Sequence, residues 1–373
     1  MEQESGTDYK RLEVKRVEKA DEEIIGLLKE TVLGSEGGMR YSMQNTEERI
    51  KAYGDGISFM ALYKKNNLKG VIGLCRRNTM NCGVPYSSTH LRYLSVQSAF
   101  QTEKAPARKS DRHSFVEESF KQKIFSMFRG SVPEGDEQGE QTEPHVMYAY
   151  VESRNERSRN LINQAGYEYI RSFLTIAFSR FNPRRDASVT RLTPEEEPAM
   201  AALLADQYSK YCFYSDEFAF ADHRYYVLRK NNRIVAGVSA IPARYRVVNV
   251  PGLWGWMMMK VFPVTPLFKR LFQPEEFRYI ILNAIYCLKG NEDLLPDLFE
   301  AVCAAEGYNT ALTWLDDHSE LFDILRTNRR MGALNRLLNA KPGLVYAYFS
   351  GLSQEETVKF YDCPAYISGF DFS

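Results

Sequence analysis

The chain has 373 residues, 44% hydrophobic and 26% charged, with 48 lysines and arginines balanced by 48 aspartates and glutamates. That length predicts two domains, and the composition excludes a disordered or collagen-like chain. The balanced charge gives no global attraction to nucleic acid or to an acidic membrane, no apolar run reaches a bilayer span, and MEQESGTDYK has no apolar signal core, so a soluble cytoplasmic protein without membrane partners is expected.

Residues 1–10 are polar, and 11–32 predict a short strand and an amphipathic helix burying Ile24, Ile25, Leu27, Leu28 and Val32. GSEGG at 34–38 breaks it, and a brief second helix from Thr46 is stopped by Gly54 and Gly56. Residues 59–77 predict a hairpin turning at Lys65-Asn66-Asn67, because asparagine tolerates positive φ. A strand at 90–100 follows, then the basic segment 104–113 and a helix at 114–128 with Phe115, Phe120, Ile124 and Phe128 on one face. The acidic, glycine- and proline-bearing stretch 130–144 predicts a surface loop.

Residues 146–178 then read as strand, helix, strand. Val146 to Val151 suits a buried strand, Ser153 or Asn155 caps a helix burying Leu161, Ile162 and Ala165, and Gly166 ends it. Residues 181–189 form the expected linker. The second half repeats the plan. A helix follows Thr193 and Pro194, and a hairpin spans 223–243 with Lys230-Asn231-Asn232 matching Lys65-Asn66-Asn67 and Gly237 matching Gly73. Next, 277–290 matches the strand at 90–100 through Arg278-Tyr279 and Arg92-Tyr93, and strand-helix units lead to a closing strand at 343–350 matching 173–178. The order of elements points to an internal duplication. Two segments stand outside it. The Trp-, Met- and Phe-rich run 253–276 is expected in a core or between domains, with the wall of an acyl or substrate pocket as the alternative. The aromatic tail 361–373 is expected to dock as an added edge element.

Six cysteines are scattered without CxxC pairs or zinc-like spacing; Cys75, Cys287 and Cys303 lie in apolar runs and are expected to be reduced core residues. No metal, nucleophile-elbow, Walker or dinucleotide motif is present.

Asn155, Ser158, Leu161, Gly166 and Tyr167, in that order between two strands, resemble the N-x-x-A/S-x-x-L-Y-x-x-x-G-F/Y signature of the Gcn5-related N-acetyltransferase (GNAT) family. At the signature tyrosine, which in many members protonates the leaving thiolate, the chain has Ile162. The resemblance implies an α+β protein of two tandem GNAT-like domains, 1–180 and 188–350, each a mixed, mainly antiparallel sheet flanked by helices, followed by the tail 351–373. It implies an acyl-CoA-dependent N-acyltransferase using acetyl-CoA on a small-molecule or protein amine, with the donor in the first half. Its pantetheine arm would lie along a splayed central strand, Leu94, Ser95 and Val96, near the helix start bearing Asn155 and Ser158.

The family's glycine-rich phosphate loop is absent after Phe100. In its place Arg108, Lys109, Ser110 and Arg112 offer charge and hydroxyls to phosphates; the plain alternative is a solvated surface loop. In the second half Glu292, Asp293 and Asp297 surround the equivalent place and would repel a pyrophosphate, so that half is not expected to bind coenzyme A in the usual manner. Amine acylation asks for a base and an acid. Tyr93 and Glu152 are the candidates, with His90, Asp316, Asp317 and His318 beside them, and each has an ordinary packing or helix-start explanation. Two other functions stay open: a non-catalytic, degenerate ligand-binding or scaffold protein, and an aminoacyl-tRNA-dependent transferase, against which the neutral charge counts.

Overall fold

The computed structural model describes residues 12–35, 37–97, 123–125, 127–128, 143–337 and 341–373. Its strands are β1 (Leu12–Val17), β2 (Arg40–Met43), β3 (Ile57–Lys64), β4 (Asn67–Asn81), β5 (Val84–Val96), β6 (His145–Glu152) and β7 (Glu168–Ser179) in the first half. The second half contributes β8 (Val189–Arg191), β9 (Tyr225–Lys230), β10 (Arg233–Asn249), β11 (Phe277–Cys287), β12 (Thr310–Asp316) and β13 (Gly343–Ser350). They form one sheet in the order β1-β3-β4-β5-β6-β13-β7-β12-β11-β10-β9-β8, with β2 on β10. The pairings are antiparallel except β5 with β6 and β11 with β12.

The centre of the sheet is an exchange. β13 pairs along its whole length with β6, from Gly343↔Glu152 to Ser350↔His145. Its other edge pairs with β7, and β7 runs on to β12 from Ser179↔Thr310 to Phe173↔Asp316. The strand closing the second half therefore sits inside the first, so neither half completes its sheet alone.

Capping chemistry sets the helices. α1 (Glu22–Glu30) starts where Asp21 accepts the Ile24 N–H, and α2 (Thr46–Ala52) follows. α3 (Glu156–Gln164) starts where Asn155 accepts the Ser158 N–H at 3.0 Å and is followed by Gly166 at φ +93°. A capping box of Thr193 and Glu196 introduces α4 (Glu197–Gln207). α5 (Leu295–Glu306) and α6 (Glu320–Thr327) cover the second half, and a Ser353/Glu356 capping box opens α7 (Gln354–Asp362). On one face of the sheet, Ile24 and Leu28 of α1 and Ile50 of α2 share a core with Tyr148 of the first half and Tyr245 and Tyr279 of the second. On the other face, Ile162 of α3 and Ala165 just after it pack in one cluster, and Leu298, Phe299 and Val302 of α5 in another.

Several expectations need correction. The two-residue turns are Lys65-Asn66 and Asn231-Asn232, all at positive φ, so the Lys-Asn-Asn match is displaced by one residue. The positive-φ residues of the two central strands are Tyr93 and Ala284, so Arg92-Tyr93 corresponds to Asn283-Ala284 and not to Arg278-Tyr279. The tail is no edge element: it lies against the middle of the sheet, with Phe370, Asp371 and Ser373 buried. Its root is tied by a Cys82–Cys363 disulfide, with the buried Cys212 Sγ 3.6 Å from that of Cys82. The run 253–276 divides, for Phe262, Met258, Met259 and Phe268 pack on the core while Leu253, Trp254, Trp256, Val264 and Leu267 are exposed.

Gly343 is required where β13 meets β7. A Cβ there would stand 2.1 Å from the Phe173 Cζ, and that ring is itself held against Tyr150 and Phe372. Gly343→Ala should therefore lower stability by about 1–3 kcal/mol through overpacking. Denaturant unfolding would show this as a lower midpoint at unchanged slope; an unmoved midpoint would mean the ring yields freely.

Candidate active site

The site begins where two parallel neighbours part. β5 and β6 pair from Ser87↔His145 to Leu91↔Ala149, yet β5 continues to Val96 and β6 to Glu152. At the parting point Tyr93 takes φ +59°, a left-handed conformation that is costly for a residue with a large side chain. The bulge turns two successive side chains to one face. Arg92 donates to Tyr53 Oη at 3.0 Å and Tyr93 packs on the same cluster, whereas Leu91 and Leu94 belong to the opposite face. Among the described residues, no side chain hydrogen-bonds the backbone of Tyr93 or Leu94.

The corresponding place in the second half is filled. β11 and β12 pair only at Ile280↔Ala311 and Ile281↔Leu312 before parting, and Ala284 takes φ +47°. The Ala284 carbonyl accepts from Tyr225 Oη at 2.9 Å, and the Ile285 carbonyl accepts from Tyr208 Oη and Gln207 Nε2, each at 2.7 Å. Asn283 Oδ1 accepts from Tyr366 Oη at 3.0 Å and from the Gly369 N–H at 2.9 Å. A cavity of only about 20 Å³ remains there, bordered by Tyr208, Tyr211, Trp314 and Tyr366.

Beside the first splay lies a buried polar network. Asp371, from the tail, accepts from Arg77 and, at 3.1 Å, from Tyr53 Oη, and its other oxygen lies 3.4 Å from His90 Nδ1. Arg92 also donates to the carbonyls of Phe370 at 3.3 Å and Ser373 at 2.7 Å. Burial opposes ionisation of Asp371, but Arg77 and His90 hold its carboxyl well below the usual range. Burial lowers the His90 imidazole despite Asp371, so this ring is neutral near pH ~7. Burial pushes the Tyr93 phenol up to about 12 and leaves it a proton donor. Around this network Tyr93 Oη, Arg49 Nε and Arg92 Nε are buried without hydrogen-bond partners among the described residues.

The predicted residues distribute as follows. Glu152, the last residue of β6, is half-buried on the α1 side, and its Oε2 accepts the Ser35 N–H at 2.9 Å. Ser95 bonds Thr31 Oγ1 through its hydroxyl, Leu94 faces the α3 side and Val96 pairs with Gly70. Tyr93, Leu94, Ser95, Val96 and Glu152 thus border one splay. Asn155 and Ser158 bond each other as the α3 cap. Arg108, Lys109, Ser110 and Arg112 lie outside the described residues. Asp316 is engaged elsewhere: it receives Arg171 through two 3.0 Å bonds and the N–H groups of His318 and Ala365, each at 2.8 Å. Asp317 stands 2.9 Å from Nδ1 of the exposed His318. Sequence reasoning missed Arg77 and Asp371, whose separation of 294 residues leaves no local signal.

The charge network sets a pH dependence. Both Asp371 and His90 have depressed folded pKa values, so each contributes stability that is full above its ordinary pKa and lost as pH falls through the folded one. Stability should fall first below the imidazole range and again below the carboxylate range. Asp371→Asn should cost up to roughly 3–5 kcal/mol at neutral pH, because Arg77 then faces a neutral amide and keeps Glu217, 3.6 Å away, as its anion, and should flatten the second, acidic fall. Urea unfolding of both proteins across the acid range would check this; an equally steep acidic fall in the variant would assign it to other carboxylates.

No protein-family model and no curated protein matches the sequence. Solved structures do match in shape. N-myristoyltransferase from Saccharomyces cerevisiae with bound myristoyl-CoA is 9% identical over 92% of this chain and 86% of its own, with a TM-score of 0.55. The same yeast enzyme with myristoyl-CoA and inhibitors is 10% identical over 91% of this chain and 80% of its own, at 0.51. A GCN5-related N-acetyltransferase from Anabaena variabilis is 10% identical over 89% of this chain and 72% of its own, at 0.46. With a splayed parallel pair and a positive-φ residue in each half, the chain has the fold of the Gcn5-related N-acetyltransferases in tandem.

Proposed function

We propose that the chain is an acyl-CoA-dependent N-acyltransferase holding its donor along β5 in the splay from β6 and its amine acceptor on the α1 side. The observation that supports this most is the asymmetry of the two splays. The backbone of Tyr93 and Leu94 has no described side chain on it, while the equivalent carbonyls of Ala284 and Ile285 are taken by Tyr225, Tyr208 and Gln207. A pantetheine arm needs such backbone groups, so the first half suits the donor and the second serves as a wall and a source of the tail. The yeast N-myristoyltransferase of the same fold binds myristoyl-CoA, which extends the acetyl donor expected from the sequence to longer acyl groups.

The donor supplies a thioester; the chain supplies position and proton transfer. Glu152, oriented by the Ser35 N–H at the mouth of the splay, takes a proton from the acceptor ammonium. Tyr93, kept protonated by burial, donates toward the departing sulfur in the role that Ile162 cannot fill. Arg108, Lys109, Ser110 and Arg112 hold the phosphates.

Calorimetric titration of acetyl-CoA and myristoyl-CoA tests the donor. Micromolar binding of either, weakened at least about tenfold in Arg108→Ala/Lys109→Ala/Arg112→Ala, is expected. Absence of binding by both thioesters at millimolar concentration would overturn the reading in favour of a non-catalytic protein. For the chemistry, Glu152→Gln and Tyr93→Phe should each lower kcat by roughly 10²-fold with donor affinity kept. Single-turnover transfer to a panel of amines reads this out, and full activity in either variant would remove that residue from the mechanism.

A further inference from the structure

Six of the ten exposed large apolar side chains among the described residues fall between positions 248 and 267, so they form a patch and not the usual scatter. Leu253 is 76% exposed, Val264 77%, Trp256 57% and Trp254 54%. The segment is helical from Gly252 to Val264, through an α, a π and a 3₁₀ turn. Leu253, Trp256, Lys260 and Val264 recur at the spacing of one helical face, and Phe262, Met258 and Met259 fasten the other side to the core. The apolar stripe therefore faces water on a helix anchored from behind.

Its charge narrows the occupant. From Val248 to Gln273 the sequence has no aspartate or glutamate and three cations, Lys260, Lys269 and Arg270, all exposed, in a chain of zero net charge. Arg270 donates to the neutral Asn182 Oδ1 at 2.7 Å, its one hydrogen bond among the described residues. Exposed tryptophans and leucine beside lysine and arginine on a short helical segment meet the two demands of a bilayer interface, apolar insertion and attraction to anionic headgroups. A protein groove would take the apolar stripe but gives no reason for the exclusion of carboxylates.

We infer that residues 248–270 form a docking surface for an anionic lipid bilayer, onto which Leu253, Trp254, Trp256 and Val264 insert while Lys260, Lys269 and Arg270 meet the headgroups. No helix among the described residues is long and apolar enough to cross a membrane, so the attachment is peripheral. It departs from the expectation of no membrane partner, which rested on total charge and not on its local segregation. The inference is independent of the proposed acyl transfer.

The test uses the full chain with phosphatidylcholine vesicles, with and without phosphatidylserine. Flotation with the serine-containing vesicles, reversed by salt, is expected, together with a blue shift of tryptophan emission. The shift is assignable, since the third tryptophan, Trp314, is buried against Phe372. Trp254→Ser/Trp256→Ser and Lys260→Glu/Lys269→Glu should each weaken flotation about tenfold or more. The substituted positions are exposed, so unchanged melting would show that the fold is kept. No flotation, equal flotation on uncharged vesicles, or flotation unaffected by both variants would overturn the inference. So would a doubled mass in light scattering abolished by the tryptophan variant without any lipid binding, which would assign the patch to a second copy of the chain.

Discussion

Two guanidinium groups, those of Arg77 and Arg92, are buried beside the first-half splay, and the carboxylate that faces them, Asp371, arrives from the tail. A buried guanidinium without an anion is too costly to persist, so this pairing dictates where the last residues go. It adds little net stability over an apolar packing of the same volume, but removing one partner is severe, and that difference makes it a positional constraint. Phe370 and Phe372 then fill the surrounding aromatic core, against Tyr53 and Tyr150 respectively. β13 acts in the same sense by completing the first half's sheet from the far end of the chain. Both contacts are highly non-local in sequence, a topology that slows folding.

The two bulges show how one geometry acquires two uses. At Tyr93 and Ala284 the backbone turns left-handed and a strand neighbour is lost, exposing main-chain groups that must find partners. In the second half, tyrosines solve this internally: Tyr208, Tyr225 and Tyr366 are large enough to fill the gap and carry a hydroxyl for the carbonyls or for Asn283. In the first half the two residues turned inward are Arg92 and Tyr93, one consumed by the tail and one whose hydroxyl has no partner among the described residues. The difference between the halves is one of side-chain identity on a shared backbone.

What could be read from the sequence was local. Asn155 as cap, Gly166 as helix end and the asparagine turns follow from backbone conformations that few residues tolerate, and each lies within a few residues of its cause. Register between the halves was misread because Arg-Tyr identity at 278–279 outweighed the bulge, which leaves no compositional mark at Ala284. The β4–β5 hairpin through Cys82-Gly83 was overlooked although both residues sit at positive φ and Gly83 is a usual turn signal. Of the candidate site, Tyr93, His90 and Glu152 were legible from their place on or beside the central strand. Arg77 and Asp371 were not: a single aspartate in an aromatic tail reads as a solubilising charge until its partner across the fold is known. The run 253–276 misled for a related reason, since apolar content alone cannot say which side of a helix the core will cover.

The mouth of the splay is held by one short loop. Between α1 and β2, Thr31 is bonded to Ser95 on β5 and Ser35 to Glu152 on β6, so the loop bridges the two strands whose separation makes the slot. Gly38 completes the contact, because a Cβ there would fall 2.5 Å from Glu152 Oε1 and push the carboxylate aside. Glu152 in turn pairs with Gly343, the residue that lets Phe173 lie across β13. Strand spacing, carboxylate orientation and the exchange of β13 are therefore mechanically one arrangement. A ligand that widens the splay must also move the loop that holds Glu152, so under the proposed acyl transfer donor entry is coupled to the placement of that carboxylate.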